Sequence, residues 1–278
     1  MQSALNLLYP EWQGYGESNS VFHGANLVVA NLFHGREFKT IEVPTEEKLI
    51  PTAGVVGLSS IVSRFGAARQ YLLDRSPSKV LTIGGTCGVE VAPVSYLNSR
   101  YAGDLAVLWF DAHGDLNTPM SSPSGHFHGM VLRSLLGDGP VEYVSQLPKP
   151  LVSRQIFLVG TRELDPPEAE FITTSSISVT PPESLKDGCG LVEEIAHRGF
   201  KNLYIHLDLD VLNPTDFPDS LMQTVGGPTR SQLAAVLKLL CERFNVVGFS
   251  IVEFVKHSDF GIEKLRELIE QSGITTLI

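Results

Sequence analysis

Short apolar runs without polar alternation recur along the chain, separated by longer stretches whose apolar positions repeat at helical spacing. Runs of roughly four to eight apolar residues suit strands buried on both faces, and a period near 3.6 suits helices that cover such a sheet. This pattern predicts strands at Ala25–Leu32, Lys79–Ile83, Leu105–Phe110, Gln155–Val159, Ser176–Thr180, Leu203–Leu207 and Val247–Val252. Helices are predicted at Thr52–Asp74, Val91–Tyr101, Phe127–Leu136, Glu183–Arg198, Arg230–Phe244 and Asp259–Gln271. Such alternation implies an α/β fold, three layers (α/β/α) around a mostly parallel sheet. No repeat, low-complexity tract or Pro/Ser-rich linker divides it, so a single domain over residues 1–278 is expected.

Composition narrows the function classes. Hydrophobic residues make up 43% and charged residues 19%, a globular balance. With 21 Lys and Arg against 31 Asp and Glu the formal charge is −10, and no basic cluster is present to bind a polyanion, so no nucleic-acid partner is expected. No apolar run approaches the roughly 20 residues needed to cross a bilayer, which excludes a helical membrane span. The opening MQSALNLLYPEWQGYG lacks a basic segment followed by a long apolar one, so secretion is not indicated. Cys87, Cys189 and Cys241 are odd in number and far apart, which suits a reducing cytoplasm.

Ligands of open α/β sheets bind beyond the carboxyl ends of the strands. Those positions here carry Gly84-Gly85-Thr86-Cys87-Gly88, Asp111-Ala112-His113-Gly114-Asp115, Thr161-Arg162-Glu163-Leu164-Asp165, Asp208-Leu209-Asp210 and Glu253. In DAHGD an extended chain would point Asp111, His113 and Asp115 to one side, and in HLDLD it would do the same for Asp208 and Asp210. Burying that many carboxylates is costly unless cations accompany them. A pair of divalent cations sharing bridging carboxylates removes the repulsion and supplies a hydroxide nucleophile at neutral pH, which points to a hydrolase. Oxygen donors with one imidazole favour manganese, with zinc, iron and cobalt also open.

In this order and spacing, GGTC, WFDAHGDLNTP, SGHFHGM, VGTRELDPPE, HLDLDVLNP and IVEF resemble the arginase/agmatinase (ureohydrolase) family over roughly residues 79–255. The resemblance implies about eight parallel strands and two manganese ions that serve the hydrolysis of guanidinium groups. It further implies that Asp111 and Asp208 bridge the metals, that His113 and Asp210 complete one, and that Asp115 completes the other. His128 matches the family's proton-shuttle histidine and Glu253 the glutamate that pairs with the guanidinium. Asn117, Ser124 and Asp165 match positions that hold the amino-acid end of the substrate, with Glu168 able to assist. His126 stands where arginases carry Asn, at the substrate rim. A homo-oligomer is implied as well, and the short closing TTLI, without the tail some arginases use in assembly, favours a small one.

One departure is evident. Typical members have Gly-Gly-Asp-His where this chain has Gly-Gly-Thr86-Cys87, so the histidine of the first metal is replaced by a thiol that either coordinates or packs beside the site. The Thr-Cys pair resembles the hydroxyarginine hydrolase branch. Three readings follow: hydrolysis of arginine or a related guanidino amino acid to an amine plus urea, hydrolysis of N-hydroxyarginine to hydroxyurea and ornithine, or a non-catalytic member with a degraded metal site. A single-zinc hydrolase on the related deacetylase scaffold is a fourth, disfavoured by Asp115 and Glu253. The segment TDFPDSLMQTVGG departs from the family pattern too, which implies an altered pocket wall.

Overall fold

In the computed structural model, which describes residues 4–276, eight strands form one sheet. They are β1 (Ala4–Tyr9), β2 (Lys39–Thr40), β3 (Lys79–Gly84), β4 (Ala106–Phe110), β5 (Ile156–Val159), β6 (Ser178–Thr180), β7 (Asn202–Asp208) and β8 (Asn245–Val252), ordered β2-β1-β3-β8-β7-β4-β5-β6. Every pairing is parallel. Met1–Ser3 lie outside the described residues, as do Leu277 and Ile278 of the closing TTLI.

Both faces of the sheet are covered, and β4 shows how. Leu108 and Phe110 join a core with Leu237, Leu240 and Leu265, whereas Val107 and Trp109 pack on the opposite side with Phe65, Leu72 and Val94. Two-residue side-chain periodicity thus serves two helical layers, which is why the strand is apolar throughout. The two edge strands are short, β2 with 2 residues and β6 with 3, leaving little open hydrogen-bonding edge.

The predicted strand Ala25–Leu32 is instead part of the helix Ser20–Leu32. Its apolar run imitates a strand, but the buried positions Val21, Gly24, Ala25 and Val28 form a helical stripe. Strands β1 and β2 were not foreseen; β1 has a buried carboxyl-terminal half only, and β2 is too short to leave a pattern. The helix expected from Thr52 begins at Leu58, because Gly54 and Gly57 sit at positive φ before it. Glu183–Arg198 divides into Pro182–Leu185 and Cys189–His197, broken where Lys186 and Gly188 adopt positive φ. Phe127–Leu136 is a 3-10 turn, Phe127–Met130, followed by the short helix Val131–Leu135. No helix among the described residues is long and apolar enough to cross a membrane.

The helix Ser20–Leu32 lies directly against the end of β8. A Cβ on Gly24 would stand 1.8 Å from the carbonyl oxygen of Phe254, so only glycine permits this approach. Gly24→Ala is therefore expected to cost ~1–3 kcal/mol, read as a lower urea midpoint at unchanged slope.

Candidate metal centre

The sheet order places the carboxyl ends of β3, β8, β7 and β4 side by side, and these four strands deliver Cys87, Glu253, Asp208 and Asp111 to one place. A cavity of about 350 Å³ opens there. Cys87, Asp111, His113, Asp115, Asn117, Ser124, His128, Asp165, Glu168, Asp208, Asp210 and Glu253 all line it. His126 does not; its ring stands edge-on to Tyr15, outside the cavity wall.

The DAHGD residues converge by a turn rather than by the alternation of an extended chain. Asp111 Oδ1 accepts from the His113 backbone N–H at 2.6 Å, and Asp115 adopts φ +51°. Asp210 likewise lies in a 3-10 turn after β7, its N–H donating to Asp208 Oδ1 at 2.8 Å, while the Ala112 N–H donates to Asp210 Oδ1 at 3.0 Å. The two turns thus clasp each other. His113 Nδ1 sits between them, 2.9 Å from Asp210 Oδ2 and 3.4 Å from Asp111 Oδ1.

Burial and crowding govern the protonation of this cluster. Burial, with the negative charge of neighbouring acids, pushes Asp115 and Asp208 well above the usual carboxylate range. Asp210 rises to about 6 for the same reasons, partly offset by His113. Burial would raise Asp111 too, but hydrogen bonds and charge from His113 prevail and it falls. Burial opposes protonation of His113, yet its bonds to Asp111 and Asp210 push it up to about 12. Crowded carboxylates of this kind favour a bound cation, which would relieve their mutual repulsion.

Glu253, at φ +60°, is the second strained acid. Its Oε1 accepts from the Cys87 N–H at 3.1 Å and lies 3.4 Å from His128 Nδ1. Glu253 Oε2 and Asp115 Oδ2 are buried with no hydrogen-bond partner among the described residues. The Cys87 thiol contacts Asp208 Oδ2 at 3.1 Å, and burial first, then the surrounding acids, push its titration well above the ordinary range.

The Thr86 half of the Gly-Gly-Thr-Cys departure has a plain cause. Its hydroxyl donates to Glu11 Oε2 at 2.5 Å and accepts from the Gly88 N–H at 3.3 Å. Glu11, fully buried, also accepts from the Gly14 N–H at 2.6 Å. An aspartate at position 86 would set a second carboxylate against Glu11; threonine and glutamate are a matched pair. Nothing in the first seventy residues signalled that partner, which stands 75 positions away.

The outer wall is organised by side-chain and backbone hydrogen bonds. Asn117 Nδ2 donates to Asp165 Oδ2 at 2.8 Å. Glu168 accepts from the Leu116 and Asp165 N–H groups, so it ties the loop after Asp115 to the start of the helix Pro166–Thr174. Arg162 donates to the carbonyls of Val225, Gly160, Val211, Asp210 and Thr224, fixing the altered wall segment that brings Met222 to the cavity. Behind the site lie two buried residues that the sequence reading did not assign, Glu90 and His206. The signal for His206 was its two-residue spacing from Asp208 in HLDLD, which sets both on one face of β7.

Two sets of donors approach closely enough to share a cation, Asp111 with His113 and Asp210, and Cys87 with Asp111, His206 and Asp208. Buried carboxylates, imidazoles and unpartnered oxygens are a donor set that fits divalent ions. A parallel α/β sheet thus carries at its carboxyl edge a donor cluster able to hold divalent ions. The sequence pattern of the Arginase family matches residues 30–264, and the chain belongs to that family.

Similarity to individual proteins agrees. An arginase of Staphylococcus aureus (strain MRSA252) is 32% identical over 199 residues, 68% of this chain and 65% of that protein. The match thus spans less than two thirds of the relative. Among solved structures, Entamoeba histolytica arginase in complex with L-ornithine superimposes with a TM-score of 0.88 at 20% identity, covering 98% of both chains. Formimidoylglutamase from Bacillus subtilis superimposes at 0.75 with 14% identity, covering 100% of this chain and 88% of the other. At these identities the likeness is one of fold.

Glu11 generates a pH prediction. Burial raises it from 4.5 to about 7, against the opposing bonds from Thr86 and Gly14. The folded chain therefore keeps a proton that the unfolded chain releases across that window, so this group's contribution to stability falls as pH rises through it, by about 3 kcal/mol in all. Glu11→Gln is expected to be more stable than the parent at pH 8 and to flatten the difference between pH 5 and pH 8 in denaturant unfolding.

Proposed function

We propose that the chain is a divalent-metal amidinohydrolase that cleaves the guanidinium group of arginine or a closely related guanidino amino acid to an amine plus urea. The observation that carries this reading is Glu253, a buried carboxylate at φ +60° with one oxygen engaged by Cys87 and the other free of partners among the described residues. A carboxylate so presented accepts parallel N–H bonds from a guanidinium and fixes its orientation as well as its charge.

Asp111, His113 and Asp210 would hold one cation, for which manganese suits the oxygen-rich donors; Cys87, Asp111 and Asp208, with Asp115 alongside, would serve the second. When bound, the cations supply Lewis-acid polarisation and make hydroxide available near neutral pH. The rest is done by side chains. Glu253 holds the guanidinium, and Asn117, Ser124 and Asp165 receive the amino-acid end. Asp115 would accept a hydrogen bond from the attacking water and orient it. As the bond from the guanidino carbon to the side-chain nitrogen breaks, His128, 3.4 Å from Glu253, delivers a proton to the departing amine.

Cys87 favours a second reading of the same site, N-hydroxyarginine hydrolysed to hydroxyurea and ornithine. A non-catalytic role is disfavoured because Asp115 and Glu253 both keep strained, buried conformations that a vestigial site has no reason to retain. The free thiols of Cys87, Cys189 and Cys241 fit a reducing cytoplasm, where the chain would act on a small guanidino molecule as a homo-oligomer without nucleic acid.

The test is to load the protein with manganese, count bound metal, and assay arginine, N-hydroxyarginine, agmatine and guanidinobutyrate side by side. Turnover confined to the two amino acids is expected; no turnover of any would overturn the hydrolase reading. Glu253→Gln should lower kcat/KM by about 10²-fold or more.

A further inference from the structure

His206 is fully buried on β7, two residues before Asp208 and on the same face of the strand. Its ring stacks on Trp109 at 3.5 Å between centroids with 16° between planes. Nδ1 lies 3.2 Å from Glu90 Oε1 and Nε2 lies 3.9 Å from Asp111 Oδ2, yet neither nitrogen makes a hydrogen bond among the described residues. A buried imidazole with neither nitrogen hydrogen-bonded is costly, and its Nε2 is the nitrogen that faces Asp111.

We infer that His206 is a ligand of the cation at Cys87, so that this position is built from Cys87 Sγ, Asp111, His206 and Asp208 and selects a zinc-class ion over manganese. The inference rests on reading the centre as a cation site. All four donor atoms lie within 4.8 Å of one another. Bonds of about 2.0–2.3 Å separate neighbouring donors in a tetrahedron by about 3.3–3.8 Å. The Cys87–Asp208 separation of 3.1 Å and the His206–Asp111 separation of 3.9 Å bracket that range.

Glu90 supplies the remaining part. It faces Nδ1 of His206, and its other oxygen accepts from the Tyr204 hydroxyl at 2.5 Å. A carboxylate behind the distal nitrogen of an imidazole fixes the tautomer and ring orientation of a metal-binding histidine. The imidazole missing from the end of β3, where Cys87 stands, is thereby supplied from β7 on the other side of the same donor cluster. Thiolate with imidazole prefers zinc or iron, whereas the oxygen-rich Asp111, His113 and Asp210 set retains manganese. The result is a centre with one soft and one hard position.

The experiment uses the full chain stripped of metal and titrated with cobalt(II), observed spectroscopically without substrate. Expected are a thiolate-to-cobalt charge-transfer band, intense visible absorption of a tetrahedral ion, and a hyperfine-shifted imidazole N–H that exchanges slowly with solvent and persists in His113→Asn. Cys87→Ser should abolish the charge-transfer band. His206→Gln should weaken that cobalt site by about 10-fold or more and remove the slow N–H signal. With zinc and manganese offered together, one equivalent of zinc should remain through gel filtration. If wild-type protein shows the thiolate band but no slowly exchanging shifted imidazole proton in His113→Asn, His206 is not a ligand, whether or not His206→Gln folds. Those signatures without turnover of any guanidino compound would instead overturn the hydrolase reading alone.

Discussion

Negative charge withheld from water is the constraint around which the molecule is arranged. Asp111, Asp115, Asp208, Asp210 and Glu253 are all buried around one cavity. Desolvating each costs several kcal/mol unless something positive or polar faces it. The chain answers partly with backbone N–H groups, from Ala112, His113, Asp210 and Cys87, and partly with His113 and His128. What these leave unbalanced is shown by the raised titration of Asp115 and Asp208 and by oxygens without partners. A divalent ion would supply charge of the opposite sign there.

The parallel sheet makes that concentration of charge mechanically tolerable. Strands β3, β8, β7 and β4 are neighbours in space although the residues they deliver, such as Cys87 and Glu253, lie up to 166 residues apart in sequence. Each contributes an acid or thiol from a stem locked between two helical layers. The strain is confined to the turns: Asp115 and Glu253 hold positive φ, and the tight contacts of Gly24 against Phe254 and of Gly85 against Glu11 keep the β8 and β3 ends in register.

The acids at strand ends were legible in the sequence because each follows an apolar run that is hard to mistake, and DAHGD and HLDLD repeat one chemical theme. So was the mostly parallel character of the sheet, which proves parallel throughout, since buried strands such as β4 have no polar alternation. Local pattern failed where burial was partial or competing. The helix Ser20–Leu32 carries β-branched residues in a run that mimics a strand, and β1 buries only half its length. Pairings across long sequence distances were equally hidden: Glu11 with Thr86, Glu90 with His206 and Tyr204, and Glu168 with Leu116 follow from the topology, which no single segment encodes. His126 was placed at the substrate rim by resemblance; its ring and that of His128 both stand edge-on to Tyr15, but only His128 lines the cavity.

Arg162 spends all five of its N–H donors on main-chain oxygens, two of them in the segment that presents Met222. Because carbonyls are common to every residue type, the path of that segment is secured independently of which side chains it bears. The cavity rim is therefore free to drift in sequence while its backbone stays in place. Residues around position 222 can thus be exchanged without disturbing the acidic floor of the cavity.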